Sequence, residues 1–134
     1  MKVSPEALFK AITDFESYPK FLPEVVGVKR LPGATATKMK IEFELEVMKR
    51  FQYTLEFKIK GQEEVAWKLV ESNFFKTNEG LWKLTPKGKK ETDVHYELEV
   101  GFGFMVPGFV SKKLTEVNLP KMLESFETQA KGLE

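Results

Sequence analysis

From Met39 to Val47 the chain alternates strictly: Met39, Ile41, Phe43, Leu45 and Val47 against Lys40, Glu42, Glu44 and Glu46. A period of two puts the first set on one face of a β-strand and the charges on the other. Tyr53, Leu55, Phe57 and Ile59 alternate with Thr54, Glu56, Lys58 and Lys60 in the same way. So do Val94, Tyr96, Leu98, Val100, Phe102 and Phe104 with Asp93, His95, Glu97 and Glu99. The inward register offers bulk, aromatic rings and the phenols of Tyr53 and Tyr96, but no carboxylate, imidazole or ammonium. Such a face suits holding an apolar molecule better than transforming a polar one.

The remaining elements follow from local signals. Ser4-Pro5 reads as an N-cap followed by proline at the first helical position, with Leu8, Ala11, Ile12 and Phe15 as the apolar stripe. Pro19 and Pro23 leave room for only a short second helix around residues 17–22. Strands are expected over 25–31, 37–49, 51–60, from Val65 through Leu69, 80–85 and 92–104, with a hairpin turn at 48–50. Residues 73–78 read as a loop and 86–90 as a polar turn. In the C-terminal third, Val110, Leu114 and Val117 form one helical stripe. Leu119, Leu123, Phe126, Ala130 and Leu133 form another, about half a turn out of phase at ~100° per residue. With Pro120 between them, a break or sharp kink is expected at 118–120. Successive strands joined by short turns imply an antiparallel sheet, and one apolar face implies one covered face. The expected fold is α+β: a curved antiparallel sheet of about six to seven strands wrapped around a long C-terminal helix, with two short helices near the N-terminus.

Composition narrows the chemistry. At 134 residues the chain is expected to form one domain over 1–134, and its formal charge of +1 supplies no field for nucleic acid, ribosome or anionic membrane. It has no cysteine, and His95 is its one histidine, so thiolate nucleophiles are excluded and a metal site is not expected. No cofactor is implied. The absence of a signal-like N-terminus and of a membrane-length apolar run sets cytoplasmic localisation as the expectation. The residues carry no signal for an oligomeric state.

The segment Asp14-Phe15-Glu16-Ser17-Tyr18-Pro19-Lys20-Phe21-Leu22-Pro23 resembles the D-x-x-x-Y-P-x-F-x-P motif that follows the first helix in the coenzyme Q-binding and polyketide cyclase-like branch of the START, or helix-grip, superfamily (SRPBCC). Gly80-Leu81-Trp82 resembles the G-x-W strand of that branch, and Phe126 falls where its terminal helix carries a phenylalanine. The element order is similar over essentially the whole chain. Glu24 and Val25 stand where coenzyme Q-type members often carry tryptophan and cysteine, and Pro107 and Pro120 are more like cyclase-like members. The resemblance implies a helix-grip fold and one of three activities: binding of a quinone, polyketide or lipid, polyketide aromatase/cyclase chemistry, or a toxin-like association with ribosomes.

Candidate residues follow from the inward register. Phe43, Tyr53, Trp67, Trp82 and Tyr96 are expected to line a ligand cavity between sheet and helix. Leu98, Phe102, Phe109, Leu114 and Phe126 complete that set. The two phenols are the candidates to hydrogen-bond a ligand carbonyl. The uncharged segment 101–110 is expected to form an apolar rim with a transient membrane contact. Phe104 and Met105 would be its gate, and Phe74 and Phe75 the opposite lip. No catalytic residue is assigned; a cyclase would need a general acid or base, drawn from the tyrosines or from Lys121, Glu124 or Glu127 on the helix. His95 falls on the charged face, as does the ladder Glu42, Glu44 and Glu46, whose alternate positions lie ~6.6 Å apart, too far to share one small cation. Asp14, Tyr18, Pro19 and Phe21 read as a rigid corner.

Overall fold

Ser4 Oγ accepts the amide hydrogen of Ala7 at 3.2 Å and so starts helix α1, Pro5–Thr13, which buries Ala7, Leu8, Ala11 and Ile12. The computed structural model describes every residue except Met48, Phe104 and Met105. After α1 come a 3-10 turn, Phe15–Ser17, and the short helix α2, Tyr18–Phe21. The corner expected from the prolines is fixed by two side-chain bonds. Ser17 Oγ donates to the Asp14 carboxylate at 2.6 Å, and the buried Tyr18 phenol donates to the Ile12 carbonyl. Outside the corner, Arg30 grips both carboxylate oxygens of Glu16, at 3.0 and 3.1 Å, and covers the Phe15 ring.

Six strands follow: β1 Val25–Arg30, β2 Lys38–Val47, β3 Lys49–Lys60, β4 Glu64–Ser72, β5 Phe75–Gly88 and β6 Glu91–Phe102. They form one antiparallel sheet in sequence order. Opposed pairs such as Phe43–Tyr53, Phe57–Trp67 and Trp82–Tyr96 stack the inward side chains in the predicted register. Register shifts interrupt the β1–β2, β3–β4 and β5–β6 ladders. Each leaves a residue unmatched and bends the sheet. Two of the exposed large apolar residues, Val26 and Val70, occupy such positions, where the strict alternation lapses. The outer face carries the charges. Arg50 lies 3.3 Å from Glu44, His95 bonds Glu97 at 2.7 Å, and Glu56 lies under Lys68 and Lys38.

The long helix crosses the inner face continuously from Gly108 to Gly132, as α3 (Gly108–Lys112), a π-helical segment (Lys113–Asn118) and α4 (Leu119–Gly132). Of the break or sharp kink expected at 118–120, the break does not occur. The phase difference is instead absorbed by the wider π turn, in which Leu119 donates its amide to Leu114 O, five residues back. That turn aligns Leu114 with Leu119, which α-helical spacing alone would not. Pro120 falls in the first turn of α4, where its missing donor is tolerated. Val117 and Leu133, assigned to the stripes, are 44% and 37% exposed. α4 packs on α1 and α2, and Phe126 meets Tyr18, Phe21 and Trp82 edge-on with centroids 5.2–5.3 Å away.

Two further expectations change. Residues 75–78 belong to β5, which is paired with β6 from Phe75–Phe102 onward, so polar Thr77 and Asn78 sit in a strand. β5 also runs to Gly88, through the segment read as a turn. Pro86 is tolerated near the strand end, past the last β4–β5 pair.

Candidate functional site

The site starts with a glycine. A Cβ on Gly80 would strike the Glu97 carbonyl oxygen and lie 2.8 Å from the Trp67 ring. Only glycine lets β5 pass this close to β6 while the Trp67 indole lies across it. Two positions on, Trp82 turns inward and meets Tyr96 edge-on at 4.8 Å, which Trp67 also approaches at 5.7 Å. The indole N–H of Trp67 donates to Asn78 Oδ1 at 3.0 Å. On the other side, Phe43 stacks on Tyr53 at 5.2 Å, and Phe75 meets Tyr53 edge-on at 5.1 Å.

These rings do not fill the space between the sheet and the long helix. They wall a cavity of about 200 Å³. Phe43, Tyr53, Trp67, Trp82 and Tyr96 all line it, as do Leu98, Phe102, Leu114 and Phe126. Phe109 does not line it; it stands on the first turn of α3, 62% exposed. Of the two residues assigned to a lip, Phe75 lines the cavity, whereas Phe74 is 3% exposed and is packed between Phe51 and Phe75 at 4.3 and 4.0 Å. The proposed gate residues Phe104 and Met105 lie outside the described residues.

Five polar lining residues are missed by sequence reasoning: Tyr18, read as part of the corner, Glu24, Asn78, Thr115 and Asn118. Glu24 adds an acidic residue to a lining expected to have none; it precedes β1, outside the strands whose alternation defines the inward face. Asn78 falls in the segment expected to be a loop. Asn118, a residue type suited to capping a helix, makes no capping bond, and among the described residues its Nδ2 is buried without a partner. The signal for Asn118 is the phase slip between the two apolar stripes, which marks a π turn as readily as a break. Conversely, Lys121 and Glu124 border a shallow outer groove beside Phe21, and Glu127 accepts the Lys2 amide, so none of the three enters the cavity.

Burial raises the pKa of Tyr18 well above the ordinary phenol value, with smaller contributions from Tyr53, Tyr96 and Asp14. Burial also raises Tyr53, reinforced by Tyr96, and raises Tyr96. All three phenols are therefore neutral donors at physiological pH. Tyr18 spends its proton on Ile12 O. Tyr53 and Tyr96 have no hydroxyl bond to protein among the described residues, and both residues line the cavity. Among the described residues no three acidic or histidine side chains converge as metal ligands, and no helix is long and apolar enough to cross a membrane.

Against known proteins, residues 1–127 match the family described as polyketide cyclase / dehydrase and lipid transport, and the chain belongs to it. No curated protein matches the sequence significantly. A protein from Thermus thermophilus superposes with a TM-score of 0.84 at 18% identity, covering 100% of this chain and 94% of that one. A START superfamily protein from Mycobacterium smegmatis gives 0.80 at 21% identity, covering 100% and 94%. The Zhui aromatase/cyclase from Streptomyces sp. R1128 gives 0.83 at 11% identity, covering 97% and 88%. The shared architecture is the START helix-grip fold.

Proposed function

We propose that this member of the polyketide cyclase/dehydrase and lipid-transport family is a cytoplasmic carrier or chaperone, holding a hydrophobic small molecule of the quinone, polyketide or lipid type between its sheet and its long helix. The observation that carries this reading is the aromatic- and aliphatic-walled cavity of about 200 Å³. Its volume is below the ~300 Å³ at which drug-sized ligand sites begin, which favours a compact ring system over a diacyl lipid. The phenols facing it are held neutral by burial, so they orient a ligand but make poor bases. Loading and release would occur in transient contact with a membrane. Exposed Phe109, followed on the same helix by Lys112 and Lys113, supports that contact.

The test is native mass spectrometry of the purified protein, followed by solvent extraction. An apolar adduct that is lost on denaturation is expected. Protein that carries no adduct, and that takes up neither an added aromatic ketone nor an aromatic hydrocarbon, overturns the carrier reading.

One observation favours a second reading, a cyclase. Glu24 is an acidic residue of the lining, and a cyclase or dehydratase needs a general base. Turnover of a poly-β-ketone that is abolished by Glu24→Gln, with ligand binding retained, would establish that reading over the carrier.

A further inference from the structure

The long helix meets different surroundings on its two sides. Toward the sheet, Leu114, Thr115 and Leu119 line the cavity. Away from it, the first half of the helix leaves two large apolar side chains exposed, Phe109 and Val117. A plain α-helix would not put these two on one line. At about 3.6 residues per turn, two turns from Phe109 end at Glu116, an acid. The π segment Lys113–Asn118 intervenes, and a π turn takes up about one residue more than an α turn. Two turns then end at Val117, about 12 Å along the axis from Phe109, with Lys113 midway and close to the same line. The slip that sets the inner lining therefore also sets the outer stripe, where it exchanges a carboxylate for a valine.

An apolar stripe with a lysine at its middle restricts the choice of partner. In a second copy packed antiparallel, Phe109 would meet Val117 of the other helix, and the two Lys113 ammonium groups would face each other on the two-fold axis. Like charges so placed oppose association. A phospholipid surface carries no such conflict. The apolar side chains enter the boundary of the acyl layer, while a lysine lays its stem along them and keeps its ammonium among the phosphates. Lys112 stands beside the stripe and Lys121 one turn beyond it. Among the described residues none of these three lysines pairs with a carboxylate. Glu116, the one acid within residues 108–118, is turned off the line by the same π turn.

We infer that residues 108–118 lie flat on an anionic phospholipid bilayer, with Phe109 and Val117 inserted and Lys112 and Lys113 against lipid phosphates. This rests on the membrane contact of the carrier reading and gives that contact its orientation. The helix half that covers the cavity lies along the bilayer, instead of touching it by its Phe109 end alone.

The chain has no cysteine, so single cysteines carrying an NBD label report each position. Four variants serve: Phe109→Cys, Glu116→Cys, Val117→Cys and, on the sheet and likewise exposed, Val70→Cys. Each is mixed with phosphatidylcholine vesicles, with and without phosphatidylglycerol. On the anionic vesicles the labels at 109 and 117 are expected to shift their emission to the blue, and those at 116 and 70 to stay unchanged. A shift at 109 without one at 117 means end-on contact, and a shift at 116 in place of 117 means a plain α-helix on the surface. Either result overturns the inference while the membrane contact stands. A shift at 117 that grows with protein concentration in the absence of vesicles assigns the stripe to a second copy and also overturns it. In vesicle sedimentation, Lys112→Gln/Lys113→Gln should bind the anionic vesicles about tenfold or more weakly, each lysine near such a surface being worth about fivefold. Equal binding of the wild-type protein to both kinds of vesicle overturns the choice of an anionic surface. Binding to neither overturns the inference together with the membrane contact it rests on.

Discussion

Trp67 donates its indole N–H to Asn78 Oδ1 at 3.0 Å, just past Trp67–Gly80, the last backbone pair joining β4 to β5. The two strands are thus linked by side chains where their ladder ends, at the wall of the cavity. Asn78→Leu leaves a buried donor unpaired and should destabilise by about 1–3 kcal/mol. Trp67→Phe/Asn78→Leu should be less destabilised than the two single changes added together. Urea denaturation of the four proteins measures that coupling; strictly additive losses would mean that the bond contributes nothing.

Gly80 is expected to be intolerant of the smallest side chain. An alanine Cβ meets the Glu97 backbone and the Trp67 ring, and backbone cannot rotate away. Gly80→Ala should cost at least about 1–3 kcal/mol. Gly88→Ala, in the same strand but with nothing within 4 Å of the added carbon, should stay within about 0.5 kcal/mol of wild type. The pair of denaturation midpoints checks the claim directly.

Alkaline pH gives a spectroscopic test of burial. The chain has 3 tyrosines, and all of them have raised pKa values caused first by burial. Their neutral forms are favoured in the fold, so this contribution is fully present below the unfolded value near 10. As pH rises above 10 the unfolded chain loses phenol protons that the native state keeps. Stability therefore falls, by about 1.4 kcal/mol per pH unit for each tyrosine, until the native phenols ionise. Tyrosinate absorbance should stay absent while the protein is folded and appear together with loss of circular dichroism. Smooth titration of one tyrosine near pH 10 in folded protein would contradict its burial.

How much is legible in the chain follows from where the period holds. In β2, β3 and β6 the strict alternation yields face, register and most of the aromatic wall, since one covered face leaves no other arrangement. It fails at residues 75–78, where Thr77 and Asn78 are kept in a strand by pairing with β6, a long-range contact that local composition does not encode. The helix resists for a different reason. A phase slip beside a proline has two physical resolutions, a break or a π turn, and only packing against the sheet selects between them. Asn118 is lost with that choice, whereas Tyr53 and Tyr96 are found because a strand position fixes a side chain's direction.

Phe74 and Phe109 should respond oppositely to truncation. Phe74 is buried against Phe51 and Phe75, so Phe74→Ala should cost about 3–5 kcal/mol. Phe109 is largely exposed, and Phe109→Ser should leave stability within about 0.5 kcal/mol while weakening association with phospholipid vesicles. Thermal melting paired with vesicle sedimentation separates them. Undiminished sedimentation of Phe109→Ser would remove Phe109 from the membrane contact.

Filling the cavity should separate binding from folding. Leu98 lies on β6 opposite Gly80 and lines the space, so a larger side chain there has room to grow inward. Overpacking a closed core costs typically about 1–3 kcal/mol, but a cavity of about 200 Å³ offers volume that a closed core does not. Leu98→Trp should therefore change stability by about 1 kcal/mol or less while reducing aromatic-ketone binding at least about tenfold. Leu84, 2% exposed and outside the lining, provides the control. Leu84→Trp enters close-packed surroundings and should destabilise by the full overpacking cost. Equal destabilisation at the two positions would mean that the space beside Leu98 closes in solution, and with it the room for a ligand.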